Sequence, residues 1–190
     1  MDRYNMTKTS SEKTHGHIST ADLTQAAMLA ALALALSWVE SIIPFQPGIP
    51  GVKLGLPNLV IVFCLYRMNA RSALLVNSVR ILLAGAMWSG AWGTLYSICG
   101  AAASFLVMAA LLEVNRLLTL HGRSEWFSII GISMAGGVFH NLGQLAVAML
   151  AISNLNLIYY GVVLILTGMA TGIVNGILAR LLLKYIPRFR

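Results

Sequence analysis

Residues 47–58 read PGIPGVKLGLPN. Prolines and glycines crowd this stretch, with Lys53 and Asn58 among them, and strongly apolar runs stand on both sides. Proline withdraws a backbone donor and glycine admits positive φ, so the segment breaks a helix and lets the chain fold back tightly. What it interrupts decides the fold. Apolar runs occupy about 22–43, 57–67, 71–87, 92–115, 127–152 and 157–183. A bilayer core takes about 20 apolar residues per helix. The expectation is an all-α membrane protein, a six-transmembrane-helix bundle over residues 21–190 behind a flexible cytoplasmic tail over 1–20. The 57–67 run is too short to cross alone, and needs extension by the loop before it or shelter from its neighbours.

Composition agrees. The 190 residues are 58% hydrophobic and 10% charged, with a mean hydropathy of +0.78. Soluble domains carry about 25% charged residues. The net charge of +7 would suit nucleic acid in a soluble protein, but here the basic residues flank apolar runs and no aromatic platform is interleaved with them. No nucleic-acid partner is expected. Cys64 and Cys99 sit inside apolar runs, without disulfide or metal spacing, and read as packing residues. The opening MDRYNMTKTSSEKTHGHISTAD lacks the short apolar core and cleavage site of a secretory signal.

Charge placement tests the span count. With six spans, the inner segments hold Arg3, Lys8, Lys13, Arg67, Arg71, Arg116, Arg123, Arg180, Lys184, Arg188 and Arg190. The outer loops 44–56, 87–92 and 152–157 hold only Lys53. That asymmetry places both termini in the cytoplasm. It leaves Lys53 and Arg80 unexplained by topology.

An intramembrane charge is expensive, faces the bundle interior and has a partner. Arg80 lies seven residues from the outer end of its span, about 10 Å deep. Asn77 shares its face. Glu40 is one turn from the outer end of the first span, which makes a structural Glu40–Arg80 pair one reading. In the fifth span, FHNLGQL puts His140 and Gln144 on one face with Asn141 beside them. One strong ligand is not a metal site. Asn175 reads as a helix–helix hydrogen bond. The second reading of the polar set is an outward-facing pocket capped by the 44–57 loop. Its floor is Asn77, Arg80, His140, Asn141 and Gln144, its rim is Glu40 and Lys53, and Asn58 follows at the start of the second span. Two positive groups with amide donors suit a ligand with an anionic part.

Small residues mark two faces. Ala26, Ala27, Ala30, Ala31 and Ala35 line the first helix, either for packing or for docking another membrane protein. Gly168, Gly172 and Gly176 recur by four, which suits close packing within the bundle.

Four segments carry a resemblance: WVESIIPFQPGIPGVKLGLPN, VRILLAG, SICGAAASFLVM and GISMAGGVFHNLGQLAVAML. They resemble the Gx transporter family, also labelled heptaprenyl diphosphate synthase component I, over about residues 22–184. That family is similar to the S components of energy-coupling factor (ECF) transporters. The resemblance implies a six-helix protein of the bacterial plasma membrane that captures a small anionic or amphipathic metabolite from outside. It implies that Ala27, Ala31 and Ala35 dock on a transmembrane coupling protein driven by ATPases. The chain has no Walker A sequence, so ATP enters only through such partners, and no intrinsic cofactor is expected. The synthase label implies an alternative: a subunit in isoprenoid or quinone metabolism or membrane redox, partnered by a prenyl synthase. Prenyl synthases hold magnesium–diphosphate on aspartate-rich motifs, whereas Asp2 and Asp22 are the only aspartates here. A catalytic role is therefore not expected.

Overall fold

A computed structural model describes residues 20–42 and 55–186. Lys53, most of the 44–57 loop and both termini lie outside the described residues. The described chain is helical, with no strand. Helix α1 spans Thr20–Ile42, α2 Leu56–Arg67 and α3 Ala70–Ala84. A π-helical turn, Gly85–Ser89, leads into α4, Gly90–Leu120. Then come α5, Ile129–Ile152, a 3₁₀ segment, Leu155–Tyr160, and α6, Gly161–Tyr185.

Four continuous helical stretches are long and apolar enough to cross a membrane: Thr20–Ile42, Ala70–Leu120, Ile129–Ile152 and Leu155–Tyr185. Helix α2 is not among them. Its 12 residues span about 18 Å, against a hydrocarbon core of about 30 Å. The Ala70–Leu120 stretch has 51 residues and would run about 76 Å if straight. It is not straight, because Gly90 takes φ 65° and ψ −176° and α3 and α4 pack on each other. The outer loop expected at 87–92 is thus corrected to a helical turn. Glycine and serine in GAMWSG read as loop residues, yet the backbone hydrogen bonds continue with a wider π turn.

Helix α2 is the axis of the fold. Five consecutive side chains, Val60 to Cys64, are buried, which no helix on the rim of a bundle permits. It touches all five other helices. A helix apolar on every side belongs in an interior, and this explains how so short a helix persists at membrane depth. Its C-terminal end is tied to α6, where Arg67 Nη2 donates to the Leu183 carbonyl at 3.3 Å.

The surrounding helices turn apolar residues outward. Leu150 is 80% exposed, Leu106 67% and Leu166 61%. In water such leucines forgo about 1.5–3 kcal/mol each relative to burial; against lipid they cost nothing. Trp92, Trp126, Tyr159 and Tyr185 are also exposed and lie near helix ends, where the amphipathic rings of an interfacial belt sit.

Two small-residue faces are resolved. On α1, Ala26, Ala30, Ala33 and Ser37 are buried, and the helix packs on α2 and α3. Ala27, Ala31 and Ala35 are exposed, so the alanine-rich sequence supplies an inner and an outer face at once. The glycine ladder packs within the bundle as its spacing suggests. A Cβ on Gly168 would come 2.7 Å from the Gly137 carbonyl oxygen, and one on Gly172 would come 2.5 Å from the Met134 Cα. Glycine brings the α5 and α6 backbones together here.

Candidate functional site

The polar residues of different helices meet at one level. Arg80 lies ten residues along α3 and Asn175 ten residues from the end of α6, each about 15 Å from the helix end near Arg67. His140, eleven residues along α5, lies about 17 Å from the same end. The first residue of α2 reaches this level too, because α2 covers only half the thickness. A polar layer thus sits near mid-depth, and the N-terminus of a half-length helix opens into it.

A cavity of about 60 Å³ occupies the layer. From α1, Ser37 and Glu40 line it; from the start of α2, Gly55, Pro57 and Asn58. Arg80 of α3 and Trp88 of the π turn form a second wall. Ser97 of α4 and His140 and Gln144 of α5 form the third. Room for His140 and Gln144 comes from Gly100 on α4, where a Cβ would lie 3.1 Å from His140 Cε1 and 2.8 Å from Gln144 Cγ.

Arg80 is the centre of the electrostatics. It is 7% exposed. Its Nη1 donates to Ser37 Oγ at 3.2 Å and its Nη2 to Asn77 Oδ1 at 2.9 Å. Its Nε is buried with no hydrogen-bond partner. Ser37 and Asn77 are neutral, so they orient the guanidinium without cancelling its charge. Glu40 shares the cavity and attracts that charge, and its Oε1 also accepts from the Gly55 N–H.

Gly55 is a knot. Its N–H goes to Glu40 of α1, and its carbonyl accepts from Asn175 Nδ2 of α6 at 2.8 Å and from the Asn58 N–H of α2 at 2.9 Å. Its φ of 69° is the left-handed region that glycine adopts without a Cβ penalty. No side chain caps α2, and its first turn, with the positive end of the helix dipole, borders the cavity through Pro57 and Asn58.

The expected site residues separate into three groups. Glu40, Asn58, Arg80, His140 and Gln144 line one cavity. Asn77 stands behind it and holds Arg80. Asn141 does not belong to the floor: its Nδ2 donates to the Leu164 carbonyl at 2.9 Å and to Thr167 Oγ1 at 3.4 Å. One residue of helical rotation past His140 carries it to the α6 side. Asn175 makes the hydrogen bond expected of it, but to the residue before α2. Lys53 lies outside the described residues. Sequence reasoning missed Ser37, Trp88, Ser97 and Gly100. Ser37 had a signal, since it is the polar end of the buried Ala26–Ala30–Ala33 face.

Acidic groups near the cavity are few. Glu113, the other carboxylate noted near the membrane, is exposed on α4 and paired with Arg116 at 3.5 Å. Glu40 is the one carboxylate among the lining residues. The arrangement can hold and orient a polar group; it does not supply the several carboxylates that magnesium–diphosphate chemistry requires.

Among known proteins, residues 29–182 match the family model described as heptaprenyl diphosphate synthase component I. No curated protein and no solved structure matches.

Proposed function

This chain belongs to the heptaprenyl diphosphate synthase component I family, and from that premise and the buried cavity we propose that it is a non-catalytic membrane subunit that binds a small ligand with an anionic part. The observation that carries this reading is Arg80. On insertion scales an arginine at a helix centre costs about 2.5–3.5 kcal/mol. Here it is buried, oriented by two neutral acceptors, and left with an unpartnered Nε–H at a cavity wall. The N-terminus of α2 adds its dipole to the same space, as half-helices do at the ligand sites of membrane transporters. Both features favour an anion bound at mid-depth.

The finer reading is capture from the outer side. In it, Ala70–Leu120 crosses twice and the short α2 is sheltered among the other helices. The basic helix ends at Arg67, Arg71, Arg116, Arg123, Arg180 and Lys184 then face the cytoplasm, as do both termini. Uptake in this scheme resembles that of an ECF S component, with ATP-driven coupling subunits docked on the exposed face of Ala27, Ala31 and Ala35. The family description favours a second reading, in which the partner is a prenyl synthase subunit and no transport cycle exists.

The test is mass spectrometry of small molecules released from the purified protein, wild type beside Arg80→Ala. The expected result is a compound present in the first and missing from the second. A folded Arg80→Ala protein that retains the same compound in the same amount overturns the reading. Affinity capture separates the schemes: ATPase and coupling subunits support uptake, a prenyl synthase subunit supports the second.

A further inference from the structure

Resting on the binding reading above, we propose that the ligand's polar end is a small carboxylate bearing a hydroxyl or amino group beside it, and that Gln144 is the residue that reads this second group. Three observations converge. The first is size. A water-sized occupant needs about 10–15 Å³ of such volume, so the cavity of about 60 Å³ holds about four to six. That is the scale of a carboxylate with one neighbouring carbon and its substituent.

The second is charge. The lining carries Arg80 and the α2 N-terminus on the positive side and Glu40 on the negative. One anionic charge is accommodated beside Arg80. A second is repelled by Glu40, which disfavours a phosphate dianion.

The third is hydrogen bonding. Gln144 is 4% exposed and lines the cavity, yet its Oε1 is buried with no partner. If the amide is turned over, the same position presents donors instead, and a hydroxyl, which both donates and accepts, still meets it. An acid alone satisfies Arg80 and leaves this acceptor capacity unmet. A neighbouring O–H or N–H meets it. Arg80 of α3 and Gln144 of α5 line this one cavity from different helices. A site that hydrogen-bonds a substrate hydroxyl or amine rejects the analogue lacking it far more strongly than a site that reads only shape.

The experiment uses the full chain, purified and stripped of ligand in lipid nanodiscs, with calorimetric titration of acetate, glycolate, glycine, inorganic phosphate and pyrophosphate. Glycolate or glycine should bind at least about tenfold more tightly than acetate, with both phosphates weaker. In Gln144→Leu that preference should fall to near one, with acetate binding retained; Gln144→Met reads the same effect if the leucine variant does not fold. Acetate equal to glycolate and glycine in the wild type, or a preference unchanged in the Gln144 variants, overturns the inference and leaves the anion reading standing. Tightest binding by either phosphate overturns the carboxylate class alone. No binding by any probe overturns this inference, and the Arg80→Ala comparison of retained compounds then judges the binding reading separately.

Discussion

Replacing Gly168 by alanine tests the packing that holds the cavity wall. By helix propensity alone the change is favourable, since alanine is better than glycine in a helix interior by about 1 kcal/mol. The structure predicts the opposite sign. The new Cβ would lie 2.7 Å from the Gly137 carbonyl oxygen and 2.9 Å from both the Gly137 carbonyl carbon and the Val138 Cα. These are backbone atoms, so no rotamer change relieves them. Ordinary contact begins at 3.4 Å, so α5 and α6 must separate by about 0.7 Å, the difference between 3.4 and 2.7. That separation also loosens the contacts at Gly172 and Gly176. Overpacking of this kind costs about 1–3 kcal/mol. Gly131→Ala is the control, because its Cβ meets only Ser128 Oγ at 3.5 Å, and it should stabilise by about 0.5–1 kcal/mol. The assay is thermal unfolding in one detergent, where about 1 kcal/mol moves the midpoint by about 2–4 °C for a chain of this size. The expected pair is a lower midpoint for Gly168→Ala and an equal or higher one for Gly131→Ala. A Gly168→Ala protein as stable as the wild type refutes the close approach. His140 and Gln144 ride on α5, so ligand retention should fall with the midpoint.

Asn115 should be a stability position with no role in binding. Its Oδ1 accepts from the backbone N–H groups of Trp126 and Phe127, and its Nδ2 donates to the Phe127 carbonyl. Asn115→Ala leaves those backbone groups unmatched, at about 1–3 kcal/mol for each that stays buried, and thermal unfolding should show the loss while retained ligand per folded protein is unchanged. Asn141→Ala should behave alike, because Asn141 faces α6. A selective loss of ligand at an unchanged midpoint would place Asn141 in the site after all.

Part of this was legible in the sequence. Membrane class and helical fold followed from apolar runs with polar ends. That Gly168, Gly172 and Gly176 pack within the bundle followed from spacing by four, because only close helix packing selects glycine at that period; that α5 is the partner did not. Arg80, His140 and Gln144 could be grouped because lipid forbids each of them any other direction than inward. What spacing cannot give is which inward neighbour a side chain meets. Asn141 is next to His140 in sequence and turns to another helix. Glu40 acts on Arg80 by charge, and it also hydrogen-bonds a glycine fifteen residues away, which charge alone does not foretell. Asn175 reaches across 120 residues to the same glycine. The π turn at Gly85–Ser89 was hidden because its composition is that of a loop, while its hydrogen bonding is set by the Gly90 backbone and by packing.

The Gly55 knot has a consequence for how the chain is made. Helix α2 is too short to be inserted as an independent span, and the hydrogen bonds that finish its N-terminus come from the first and last helices of the bundle. During synthesis α1 precedes Gly55, but Asn175 is made 120 residues after it. Until then the Gly55 carbonyl lacks its α6 partner and α2 lacks one wall. Cys64, fully buried in α2, reports this state. In a Cys99→Ala background it should react with thiol reagents in a chain truncated before α6 and resist them in the complete chain. The polar layer is therefore finished only once α6 is in place, and a chain interrupted before α6 would carry the described lining residues of the cavity and still leave the Gly55 knot untied.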